Sequence, residues 1–178
     1  MARNVTDAVI LLNTMVAADK NDIGVTPSSI NYLSHLKQDG LKGKRIGVAR
    51  NFMGYHKKTD QVFEQAIKDL KAQGATIVDN TNFENSDQWG DAEFEVLLYE
   101  FKHGLNQYLA NTTQGLPKSL AELITFNKEY ANVEMPYFEQ EIFEMAQSKG
   151  GLNEKVYIDA LAKAKLATQK DGIDTILK

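Results

Sequence analysis

The stretch between Gly40 and Asp79 restricts this chain more than any other. Residues 45–50 (RIGVAR) carry apolar Ile46 and Val48 and follow the turn-prone Gly40 and Gly43, which predicts a strand. The next segment, about 59–73, sets Val62, Phe63, Ala66, Ile67 and Leu70 at three- and four-residue spacing, the period of one helix face. Gly74 stands where a helix C-terminal cap belongs, and 75–79 (ATIVD) is a second short strand. Two strands joined through a helix in one sheet lie parallel, with a right-handed crossover. Gly47, inside the first strand, marks a place where another part of the chain comes close to the backbone.

Most of the remainder repeats at helical spacing. Val5, Val9, Leu12 and Val16 predict a helix from Asn4 to about Ala18, with Asn4 as N-cap and Asp7 completing a capping-box-like pair. After a loop through Gly24 and Pro27, Ser28 or Ser29 caps a short helix with Ile30, Leu33 and Leu36 that ends at Asp39 and Gly40. A long helix over 93–109 aligns Phe94, Leu97, Leu98, Phe101, Leu105 and Tyr108. Pro117 and Ser119 open the next one, which reaches about Val133. Pro136 then sits in the first turn of a helix through Phe138, Ile142, Phe143 and Ala146, stopped by Gly150 and Gly151. The last helix runs from about Asn153 to Gly172, and the apolar residues from Ile173 to Leu177 look like the approach to another element. The expected fold is α/β and helix-rich, a parallel strand-helix-strand unit with several packed helices, and 178 residues suffice for one domain with its own core.

Several functional classes are disfavoured. The net charge is −4 and the lysines alternate with acids, so no basic stripe is available to neutralise phosphates and no nucleic-acid partner is expected. There is no cysteine, which removes disulfides, thiolate catalysis and the usual zinc sites. His35, His56 and His103 are the only histidines; none has a second histidine four residues on in the HExxH manner, so neither a metal site nor a cofactor is expected. The glycines of 40–44 lack phosphate-loop spacing and lead into a strand. Asp7 and Asn13 interrupt the early apolar run that follows Arg3, and no run reaches the roughly 20 apolar residues of a membrane span, so the chain reads as cytoplasmic with no membrane partner. The sequons at Asn4 and Asn111 are then chance matches.

A nucleophilic serine needs a base in hydrogen-bond reach and donors for the oxyanion. No serine here has that setting: Ser28 and Ser29 follow a proline in a connector, and Ser34, Ser119 and Ser148 read as helical or capping residues. One flank of the helix over 93–109 is polar, with Tyr99, Lys102, His103 and Asn106 beside the apolar face. Such a flank lines a substrate pocket in one reading and is a solvated helix edge in the other.

Motifs in a fixed order carry a resemblance. The opening Met1, Ala2, Arg3 and Asp7, the run 39–48 (DGLKGKRIGV) and the return from Ala66 to Val78 resemble, piece by piece, the part of amidase signature family enzymes that follows their serine- and glycine-rich signature. The stretches 97–102 (LLYEFK) and 120–127 (LAELITFN) look like a helical region of bacterial members that act on small amides. The resemblance implies that Arg3, Asp7 and Gly47 are structural residues of the family motif, and that the fold is part of the amidase signature fold.

In that family the catalytic serine, a second serine joined by a cis peptide and the lysine base precede the M-A-R run, and none has a counterpart here. The resemblance therefore implies a domain, or a domain fragment from the second half of an amidase, that lacks the catalytic triad and is inactive alone, whether through a truncated gene or a deliberately cut chain. The full-length protein would hydrolyse carboxylic amide C–N bonds of a small amide substrate by a serine acyl-enzyme route. A cut chain should also expose apolar surface and self-associate through it. The alternative is a free-standing, non-catalytic binding or scaffold domain. A third reading, activity of this chain through Lys102 or His103 with a serine brought in by the fold, lacks a visible nucleophile and base pair.

Overall fold

The computed structural model describes residues 1–16, 30–79, 81–84 and 89–178, which form two compact units, 1–82 and 83–178. The expected end of the first helix at Ala17 and Ala18, the loop from Gly24 to Pro27, and the caps at Ser28 and Ser29 lie outside the described residues.

In the first unit, helix α1 (Val5–Met15) begins as the sequence predicts. Asn4 Oδ1 accepts the Asp7 backbone N–H at 2.8 Å, and Asn4 Nδ2 donates to Asp7 Oδ2 at 3.0 Å. The expected short helix through Ile30 to Leu36 is instead a single 3₁₀ turn, Tyr32–His35. Asn31 explains the difference: its side-chain oxygen captures the Leu33 N–H two residues on, which favours a tight local turn over a continuing helix. Asn13 ties α1 to that turn, donating to Asn31 Oδ1 at 3.2 Å and accepting from the Tyr32 N–H at 3.3 Å.

Strands β1 (Arg45–Gly47) and β2 (Thr76–Val78) pair in parallel with Ile46 opposite Ile77, joined through helix α2 (Lys57–Ala72). The ladder is extended by Thr76 N–H to Lys44 O at 2.8 Å and Val48 N–H to Val78 O at 2.9 Å. β1 stops short of the expected Arg50 because the chain turns into a 3₁₀ segment, Arg50–Phe52. The turn aims the Arg50 guanidinium at Glu64 Oε1 (2.5 Å) and Asp79 Oδ1 (2.7 Å), and these partners raise its pKa. α2 starts two residues before Thr59 because the His56 ring caps it, accepting from the Thr59 N–H at 3.4 Å. Gly74 follows α2 with φ +90, the left-handed conformation that a glycine adopts without penalty. Over Gly47 lies Thr81: a Cβ there would stand 2.8 Å from the Thr81 hydroxyl oxygen. The apolar face of α2 is only partly used, since Ile67 is buried while Val62 is 72% exposed.

In the second unit, α3 (Gly90–Ala110) is the spine against which α4 (Leu120–Glu129), α6 (Glu141–Gln147) and α7 (Lys155–Lys165) pack. Leu98, Leu120, Ile124 and Ala146 form the core, flanked by Phe101, Leu105 and Phe143. α4 is capped by Ser119, whose Oγ accepts the Glu122 N–H at 3.2 Å while Glu122 Oε2 accepts the Lys118 N–H at 2.9 Å.

Two expected boundaries move, and a third holds at Gly172. The helix opened by Ser119 breaks at Tyr130 (φ −108, ψ 28), so the part reaching Val133 is a separate turn, α5 (Ala131–Glu134). The helix expected to begin at Pro136 begins at Glu141. Gln140 accounts for the shift, because its buried side chain donates to Ile124 O at 3.1 Å, accepts from Asn127 at 3.0 Å, and anchors the chain to α4 before a helix starts. At the far end α7 runs on into a π-helical turn, Leu166–Ile173, that leaves helical geometry at Gly172 (φ −101, ψ −105). A Cβ at Gly172 would lie 2.7 Å from the Ala167 carbonyl oxygen. The apolar end expected to approach another element forms one more helical turn, α8 (Asp174–Ile176).

Candidate functional site

The polar flank of α3 exists, and three of its four members are engaged in holding other elements. Tyr99 is buried and its hydroxyl donates to Glu154 Oε2 at 2.6 Å. That hydrogen bond, followed by burial and the negative charges of Glu154 and Glu95, pushes the phenol pKa up to about 12. Lys102 Nζ donates to Gln147 O at 2.9 Å and also to Lys149 O, which satisfies carbonyls left open at the C-terminus of α6. This explains how the helix ends before Gly150 and Gly151. Asn106 Oδ1 accepts the Leu120 N–H at 2.8 Å, one of the open donors at the start of α4. His103 differs from these: it is exposed, and its Nε2 lies 3.0 Å from the Gln107 side-chain nitrogen one turn on.

A second set of residues completes the network. Tyr157 on α7 donates to Glu100 Oε1 at 2.8 Å, which raises its pKa through the hydrogen bond, burial and the carboxylate charge. The Tyr99 and Tyr157 rings meet at 5.6 Å. Lys149 Nζ bonds both oxygens of Glu95 at 2.7 and 2.8 Å and stands 5.7 Å from the Tyr99 ring centre. Each tyrosine thus donates across to an acid on or beside the other's helix. Gly150 permits the first of these bonds, because a Cβ there would sit 1.8 Å from Glu154 Oε1. Glu95, Glu100, Lys149, Glu154 and Tyr157 were not singled out by sequence reasoning. A local signal pointed to Glu95 alone, which lies four residues before Tyr99 on the same helix flank.

This arrangement has the chemistry of a clasp, with each polar end taken by a protein partner. It offers no paired nucleophile and base. The described serines are tied to their own turns: Ser34 Oγ donates to Asn31 O and Ser148 Oγ to Met145 O, each at 2.7 Å, while Ser119 caps α4. Among the described residues, no three histidine or carboxylate side chains converge as metal ligands, and no helix is long and apolar enough to cross a membrane. At the other end of the chain Asp7 is held by Asn4, with Arg3 exposed just before it.

Comparison with known proteins gives this geometry a context. A family model described as Amidase matches residues 1–176. A probable amidase of Arabidopsis thaliana is 31% identical over 188 residues, covering 100% of this chain and 35% of that protein. A putative amidase of Schizosaccharomyces pombe is 27% identical over 206 residues, covering 99% of this chain and 35% of its own length. The solved native peptide amidase of Stenotrophomonas maltophilia superposes with a TM-score of 0.85 at 34% identity, over 98% of this chain and 36% of that one. The chain spans about a third of the length of these relatives. With the parallel strand pair and the helices that follow matched almost end to end, the chain belongs to the amidase signature family.

Proposed function

We propose that these residues are the scaffold portion of an enzyme that hydrolyses carboxylic amide C–N bonds, and that this chain alone is catalytically incomplete. The observation that carries the reading is the match to amidases over 98–100% of this chain but only about a third of their length. The side-chain geometry supports it, because the described serine hydroxyls bond to the backbone of their own turns or cap a helix. In the family chemistry a serine oxygen attacks the amide carbon, and its proton passes through a second serine to a lysine and on to the departing nitrogen. Water then cleaves the acyl-enzyme to acid and free serine. The substrate class is a small carboxylic amide, with a peptide amide the first to try in view of the Stenotrophomonas neighbour. Of the α3 flank, His103 alone is proposed to face a substrate, since Tyr99, Lys102 and Asn106 hold neighbouring elements. A cytoplasmic setting belongs to the same reading, because a chain without cysteine gains nothing from an oxidising compartment.

Translating the DNA upstream of the Met1 codon tests the proposal. An open frame carrying a lysine and a serine- and glycine-rich stretch into Met1 supports it; a stop codon with a ribosome-binding site there favours a free-standing binding or scaffold domain.

A second reading, self-association, is favoured by α1. None of its residues is buried, and Val5, Ile10, Leu11 and Met15 are 48–68% exposed. Apolar surface of this kind is ordinarily covered by another surface. Light scattering coupled to size exclusion should find the isolated chain in oligomers, and a monomer with one sharp unfolding transition would count against it.

A further inference from the structure

We draw no further inference here: the strongest candidate, the open cavity of about 420 Å³ between the turn at Gly115 and α4, is rimmed by the exposed carboxylates of Glu122 and Glu129, and nothing in the structure shows what would occupy it.

Discussion

The two units solve the same problem with different completeness. The second closes a core of Leu98, Leu120, Ile124 and Ala146 and pins its helices with side chains: Lys102 at the end of α6, Asn106 at the start of α4, and two tyrosine–glutamate bonds toward α7. Among its described residues the first buries Val48, Ile67 and Ala75 around a two-stranded parallel sheet and leaves α1 with no buried residue. Parallel sheets are ordinarily covered on both faces, and two strands alone are marginal in water. Within one chain, therefore, one region closes its own core while the other leaves the apolar residues of a whole helix unburied.

Substitutions should separate the regions by size of effect. Leu120→Ala, at the only fully buried large side chain among the described residues, should destabilise the second unit by about 2–5 kcal/mol in denaturant unfolding. Gln140→Leu keeps the volume roughly but leaves the Ile124 carbonyl without its side-chain donor, and should cost about 1–3 kcal/mol in the same unit. Asn4→Ala removes the cap of α1 and should cost that helix about 1 kcal/mol, read as faster amide exchange at Asp7. Smallest in stability should be Leu11→Ser on exposed α1, with a change within about 0.5 kcal/mol and a shift toward monomer in light scattering. If Leu11→Ser unfolds the chain as Leu120→Ala does, the contrast between the units is wrong.

The tyrosine clasp adds a dependence on pH. Tyr99 has its pKa raised from 10 to about 12 because the neutral phenol donates to Glu154, so folding favours the protonated form. Its contribution is fully present below pH 10 and is lost as the pH rises from about 10 to about 12. Tyr157 is raised in the same direction by Glu100. Unfolding midpoints measured from pH 9 to 12 should fall more steeply for the native chain than for Tyr99→Phe, and parallel curves would remove the clasp from the account.

How much of this was legible depended on the range of the interaction. The strand-helix-strand unit declared itself through its change of period and Gly74, and Asn4 and Asp7 could be paired because capping partners lie three residues apart. Pro136 misled because the start of α6 is set by Gln140 reaching Ile124 and Asn127, 16 and 13 residues away. The flank of Tyr99, Lys102, His103 and Asn106 was visible as a stripe, but its use was not. Glu154 and Gln147, the partners that occupy it, lie 55 and 45 residues on, and helical spacing carries no information over that distance. Gly150 was readable as a stop signal, whereas its space for Glu154 required the fold.

The most direct test of the central claim is ammonia release from a peptide amide by the purified chain, held near neutral pH for long enough to detect rates just above the uncatalysed one. The account predicts no turnover beyond that background. Turnover that disappears on a single serine substitution would contradict it, because the nucleophile would then lie within these residues.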